Sequence, residues 1–411
     1  MVTRRSLLAA LLSGTAVRGQ SALPPVTALT KGPQFHWFAY YDKLQFDPSS
    51  RYVLSHQVDF EHRSPAPDDE IRLGFIDLKD ANRWTEIGRT KAWNWQQGAM
   101  LQFVPGSRDE VIWNERDDKE KRFVSVVCNI RTGRRRTLPA PIYAVSPDGE
   151  WAVYPDFKRL NDTRPGYGYC GLPDPFAAIE TPKDIGIWRM NLKSGKSELI
   201  IPLAEAAAIA NPHEDMSASK HWFNHLLFNT DGSRFIFLHR WRGPRQRPGS
   251  FATRMFTASI DGKSLYVLDP YGRTSHFIWR DPAHVLAWAW HPSLKADKFY
   301  LYKDQTSQVE AIGPDVMTVN GHCTYLPGNR WILNDTYPDR QRNQNVYLYE
   351  VATGRRVELG AFNSPKQYSG EWRCDTHPRY SPDGNWVTID SPHGGNGRQL
   401  YLIDIRGVTK A

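Results

Sequence analysis

Apolar and polar positions alternate along this chain in short runs, and the runs recur in sets roughly fifty residues apart. In each set an apolar run, a turn and a second apolar run follow one another. His377-Pro-Arg-Tyr380 leads through Ser-Pro-Asp-Gly384 into Trp386-Val-Thr-Ile389, and His225-Leu-Leu-Phe228 leads through Asn-Thr-Asp-Gly232 into Phe235-Ile-Phe-Leu238. Runs of four to eight residues bounded by Gly, Pro, Asp and Asn are strand signals. Seven sets can be laid along the chain. The first holds Leu44-Gln-Phe46, Tyr52-Val-Leu54 and 71–77; the second 100–103, Val111-Ile-Trp113 and 124–127; the third 144–149, 151–154 and 186–190. The last four start at His225, His276, His322 and His377. Repeats of this length are the signature of propeller blades. The pattern predicts an all-β protein, a seven-bladed β-propeller of four-stranded antiparallel blades, as a single domain over residues 30–407. Only Leu203 to Ala210 reads as helical.

Composition agrees with many tight turns and aromatic packing: 30 Gly, 29 Pro, 15 Trp, 18 Tyr and 18 Phe in 411 residues. Residues 1–23 stand apart. Thr3-Arg4-Arg5-Ser6-Leu7-Leu8 followed by a short apolar stretch resembles a twin-arginine export signal, which predicts a periplasmic or secreted protein. No run approaches the roughly 20 apolar residues of a membrane span, so no membrane association is expected once the signal is removed. The net charge of +8 suits any polyanion. Without an RNA-binding motif, an acidic carbohydrate is the partner expected rather than nucleic acid. The sequence gives no oligomeric state. The four cysteines, Cys128, Cys170, Cys323 and Cys374, match no zinc spacing and read as buried packing residues.

The candidate chemistry lies in the repeat itself. His225, His276, His322 and His377 occupy one register at intervals of 51, 46 and 55 residues. The first strand of every propeller blade lines the central channel, so equivalent positions converge there. Asp375 stands two residues before His377, on the same face of an extended strand, and His322 belongs to the neighbouring blade. His322, Asp375 and His377 therefore form a candidate site for a divalent metal. Residues at the ends of second strands, His239 and Arg240, Asn334 and Asp335, and Asp390, are further candidates around this cluster, several of them expected only to cap turns. Trp93 and Trp95 are candidates for a sugar-stacking platform or for inter-blade core. Two long insertions are candidates for substrate contact: 161–184, with Arg164, Tyr167 and Tyr169, and the basic segment 240–247, with Arg254 just beyond.

The phrases His377-Pro-Arg-Tyr-Ser-Pro-Asp-Gly384, Asn320-Gly-His322 and Lys220-His-Trp-Phe-Asn-His225-Leu-Leu-Phe228 resemble the oligogalacturonate lyase-like propellers. The resemblance runs through the chain from about residue 30 as a pattern of seven blades. It implies a manganese ion at the channel mouth, held in that family by histidines and a glutamine on a strand like Gln-x-x-His-x-His-Pro. Here His377 matches the last histidine, Asp375 replaces the one before it, and Trp372 stands in place of the glutamine. The ligand from the preceding blade falls on His322. The implied reaction is β-elimination on a uronic acid. A base takes the C5 proton while cations neutralise the neighbouring carboxylate. Arg240 and Arg254 suit the neutralising role, and His225, His239 and His276 compete for the base. The competing expectation is a non-catalytic binding propeller similar to the TolB type, which shares the Ser-Pro-Asp-Gly turn.

Overall fold

The computed structural model describes residues 23–244, 246–247 and 249–410, so residues 1–22 of the expected export segment lie outside the described residues. Seven four-stranded antiparallel sheets follow one another around a central channel, as the repeat predicts. From the channel outward, blade four consists of Lys220–Phe228, Arg234–Arg242, Ala252–Ser259 and Tyr266–Asp269. The second strand of each blade is sandwiched between neighbouring blades, and for that reason Phe235 to Leu238 is an unbroken buried apolar run. The Ser-Pro-Asp-Gly turn has a local logic. In blade seven the Ser381 hydroxyl donates to Asp383 (2.6 Å) and accepts from the Trp386 amide (3.0 Å), while Gly384 takes a φ of +68° that a side chain would resist. The motif is a turn device and carries no chemistry.

Ring closure departs from the simple repeat. Blade seven is built from Arg379–Tyr380, Trp386–Ser391 and Gln399–Asp404, and its outermost strand is Val26–Ala28 from the opposite end of the chain. Val26 pairs with Ile403 and Ala28 with Tyr401, so backbone hydrogen bonds and side-chain packing close the circle. Blade one also starts earlier than predicted. Its innermost strand is Phe35–Trp37, paired with Gln57 and its neighbours, whereas Phe46 makes only an isolated bridge to Val53. The chain between these points, residues 38–43, enters the channel. Asp390 accepts the Phe38 and Ala39 amides (3.1 and 2.8 Å), and Tyr41 bonds both the amide and the carbonyl of Phe277.

The helix prediction needs correcting. The helix expected over Leu203 to Ala210 spans Leu203–Ala208, and a short helix, Arg406–Thr409, follows blade seven. Another, Phe157–Thr163, opens the long insertion, with the Asp156 carboxylate accepting from the Arg159 amide at its start. Its apolar positions Phe157 and Leu160 are only one turn long, too short for a periodicity signal. Among the described residues no helix is long and apolar enough to cross a membrane.

Candidate functional site

Three of the register histidines stand immediately before inner strands: His276 before Phe277–Asp281, His322 before Thr324–Tyr325 and His377 before Arg379–Tyr380. His225 lies within the inner strand of blade four, at an irregularity in its pairing between Asn224 and Leu227. Their rings gather at one end of the channel. His322 is 4.1 Å from His276 and 4.2 Å from His377, centroid to centroid. Tyr40, on the segment inside the channel, stacks on His225 at 5.0 Å and lies 5.4 Å from His377, bridging the fourth histidine to the other three. His225 and His377 both adopt left-handed backbone conformations, with φ of +53° and +40°. Such positions cost roughly 1–3 kcal/mol each and cluster where function demands a fixed orientation.

The metal candidates lie close together. One ligand atom from each of His322, Asp375 and His377 falls within 4.8 Å of the other two. The His322 Nδ1 is 2.9 and 3.0 Å from the two oxygens of Asp335, and its Nε2 is buried with no hydrogen-bond partner among the described residues. The His377 Nε2 is likewise buried and unpartnered, 4.0 Å from Asp375 Oδ2. A buried polar atom without a partner costs about 1–3 kcal/mol, and two of them beside one carboxylate fit a divalent ion. Burial pushes His225, His276 and His377 well below the usual imidazole range, which keeps these rings neutral. Trp372 is no ligand; its indole donates to Gln367 (2.9 Å).

Asp335 and Asp390 overturn the expectation that second-strand ends cap turns. In an antiparallel pair the second strand ends where the first begins, so these residues arrive beside the histidines. Asp335 also accepts from the Thr376 hydroxyl (2.5 Å), linking blades six and seven. Asp390 pairs with buried Arg379 (2.9 Å). The alternation of the strands held this information, and the antiparallel return was the signal to use.

Arg373, unremarked in the sequence, joins the site to the long insertion. Its Nε donates to Asp375 (2.6 Å) and its Nη2 to the Tyr167 hydroxyl (2.7 Å). The Tyr167 ring meets His225 edge-on at 5.4 Å, and Arg164 lies 4.1 Å from the Tyr167 centroid. Arg164 and Arg240 both stack on Phe251, at 4.5 and 4.7 Å. Among the described residues, Arg164 Nη1 and Arg240 Nε and Nη1 are buried without hydrogen-bond partners.

Several sequence candidates lie elsewhere. His239 and Arg254 are fully buried within blade four, away from the histidine ring. Arg254 donates to His239 Nδ1 (3.0 Å) and to the Ala206 carbonyl (2.8 Å), and His239 Nε2 lies 2.8 Å from His221 Nδ1. An arginine can only donate, so His239 carries its proton on Nε2 and donates that N–H to His221 Nδ1. Both nitrogens of His239 are committed, and it has none free to act as a base. Trp93 and Trp95 form inter-blade core rather than a sugar platform. They pack against Trp37 and each other, and their indoles donate to the Asp69 and Arg63 carbonyls. Tyr169 is core as well, stacked on Phe157 at 4.3 Å and bonded to Asn114.

No known protein-family model matches the chain, and no curated protein matches it in sequence. Solved structures do match in fold. The oligogalacturonate lyase of Vibrio parahaemolyticus superposes with a TM-score of 0.65 at 13% identity, over 93% of this chain and 94% of that one. An oligogalacturonate lyase in complex with manganese gives 0.65 at 14% identity, over 94% of each chain. A xyloglucanase from Xanthomonas campestris gives 0.51 at 12% identity, over 93% of this chain and 54% of that one. At these identities the likeness is one of fold.

Proposed function

We propose that this protein is a lyase that cleaves acidic, uronate-containing oligosaccharides by β-elimination. The observation that carries this reading is the positive charge beside the histidines. Arg164 and Arg240 flank one phenyl ring, and Arg164 Nη1 and Arg240 Nε and Nη1 are buried with no acceptor among the described residues. Leaving charged donors buried and unpaired costs several kcal/mol, roughly 3–5 where a buried pair is broken, so such a site suits a ligand that brings anionic oxygens. The likeness to oligogalacturonate lyases supports an acidic oligosaccharide as that ligand. On the same reading residues 1–23 are an export signal, and the substrate is met outside the cytoplasm.

The C5 proton of a uronate is acidic only when charge developing on the adjacent carboxylate is stabilised. His322, Asp375 and His377 would hold a divalent ion, manganese by likeness to the manganese complex, and that ion when bound supplies positive charge to the carboxylate. Arg164 and Arg240 supply cationic donors from the blade-four side. Of the three base candidates His225 fits best. Gln97 donates to the Tyr143 hydroxyl, whose oxygen can also accept from His225 Nδ1 (3.2 Å); with the proton on Nδ1 and no described residue bonded to Nε2, the neutral ring can take the C5 proton there. His276 has its Nδ1 on Asn320 (3.0 Å) and its Nε2 3.5 Å from the Tyr337 hydroxyl, which suits a supporting role.

The experiment is to incubate the purified protein with a panel of uronate oligosaccharides and follow the ultraviolet absorbance of the conjugated 4,5-unsaturated product. Product formation that His225→Ala reduces about 100-fold or more supports the reading. Binding of an acidic oligosaccharide without product, across the panel and with manganese present, would leave a non-catalytic binding propeller.

A further inference from the structure

We infer that Tyr167 is the general acid of the proposed elimination, delivering its phenolic proton to the O4 oxygen of the departing sugar. The inference rests on the lyase reading above and adds to it the identity of the proton donor.

Tyr167 sits on the long insertion and is only 5% exposed, yet its hydroxyl is in contact with the site. Its oxygen accepts from Arg373 (2.7 Å), and a guanidinium can only donate. The hydroxyl hydrogen is therefore not used in that bond, and no acceptor among the described residues takes it. A buried hydroxyl with a free hydrogen beside the proposed base is suited to donate to a substrate oxygen. The Tyr167 ring meets His225 edge-on at 5.4 Å, so acid and base adjoin. Arg373 is also tied to Asp375 by its Nε, which keeps the phenol next to the metal candidates. Burial alone would raise the phenol's pKa, but the Arg373 and Arg164 charges outweigh it and bring it below the ordinary tyrosine value. The same charges stabilise the phenolate left after proton transfer.

The step balances. His225 takes the C5 proton, and the C5–H electron pair becomes the C4=C5 double bond. The C4–O4 bond breaks with its pair on O4, and O4 takes the Tyr167 proton. His225 ends as imidazolium and Tyr167 as phenolate, and water returns the proton from one to the other. No oxidant or reductant is required.

The test compares wild type with Tyr167→Phe on two uronides: a 4-linked disaccharide, whose leaving alkoxide needs a proton, and a 4-O-(4-nitrophenyl) uronide, whose leaving phenolate does not. Tyr167→Phe is expected to slow the disaccharide about 100-fold or more and to leave nitrophenolate release near the wild-type rate. A purely structural role would slow both alike, and equal losses, or no loss, overturn the assignment. If the phenylalanine variant does not fold, 3-fluorotyrosine at position 167 serves instead. Its more acidic phenol should move the alkaline limb of kcat/KM on the disaccharide to lower pH, and an unmoved limb overturns the assignment. A wild-type protein that forms unsaturated product from neither compound overturns the lyase reading together with it.

Discussion

Asp335 fixes which nitrogen of His322 faces the channel. The carboxylate lies 2.9 and 3.0 Å from Nδ1 and accepts the His322 backbone amide at 2.7 Å, so one buried acid orients both the ring and its backbone. Nδ1 carries the proton, and the lone pair of Nε2 points toward His377 and Asp375. A carboxylate that holds a ligating histidine in this way fixes its tautomer and orientation and so tunes metal affinity. Asp335→Asn should weaken manganese binding by about 10- to 100-fold in a calorimetric titration while the fold persists. Manganese should also raise the thermal midpoint of the wild type, because a ligand at 100 times its Kd adds about 2.7 kcal/mol, and His322→Ala with His377→Ala should abolish that shift. A wild-type midpoint indifferent to manganese and to chelators would remove the metal from the proposal.

Arg240 places function and stability in opposition. It is 4% exposed, stacks on Phe251, and has its Nε and Nη1 buried without a hydrogen-bond partner among the described residues. Replacing it with methionine keeps the apolar stem and removes a buried, unpaired charge. Arg240→Met should therefore stabilise the fold, by about 1–3 kcal/mol in a denaturant titration, while raising KM for an acidic oligosaccharide. A destabilised variant with unchanged KM would mean that Arg240 is held by the fold for its own sake.

The parts of this molecule that obey a local rule were legible in the sequence. Strand alternation and turn chemistry gave seven blades, and their period placed His276, His322 and His377 at one level because equivalent blade positions must converge on the channel. Contacts that depend on an insertion folding back or on the two ends of the chain meeting were not legible. Arg373 matters because the insertion folds back to bring Tyr167 against it, and no spacing encodes that contact. The Val26–Ala28 strand joins blade seven through pairing between the two ends of the chain, which a repeat scan does not register. Trp93 and Trp95 show the opposite failure. Aromatic side chains read alike whether they stack on a sugar or on each other, and only their buried indole bonds to the Asp69 and Arg63 carbonyls decide for core.

Arg254, a neutralising candidate by sequence, is a structural residue. Its guanidinium is fully buried, bonded to the Ala206 carbonyl and to His239, and burial pulls its pKa down to about 10. Arg254→Ala strands the His239 Nδ1 acceptor and the Ala206 carbonyl and leaves a cavity at the base of the Leu203–Ala208 helix. It should lower stability by roughly 2–4 kcal/mol. Turnover per folded molecule, measured well below the new midpoint, should match the wild type. Intact stability with lost turnover would return Arg254 to the active site.

The last prediction concerns acid. His36, buried on the innermost strand of blade one between the Ser55 hydroxyl (3.2 Å) and the Gln57 amide (3.0 Å), has its pKa lowered to about 4 by burial. The unfolded chain binds this proton near pH 6.5 and the folded chain only near pH 4, so the unfolded state holds more protons between those values. The stability tied to neutral His36 is complete above about pH 6.5 and is lost as pH falls toward 4, to the extent of about 3 kcal/mol. His221, also lowered to about 4 by burial, adds a slope of the same sign. Urea midpoints should therefore fall steadily from pH 7 to pH 4.5. His36→Gln keeps a hydrogen-bonding side chain that does not titrate, and should make that fall shallower even if the variant is less stable at pH 7. An unchanged slope would mean that His36 takes up no extra proton on unfolding in this range.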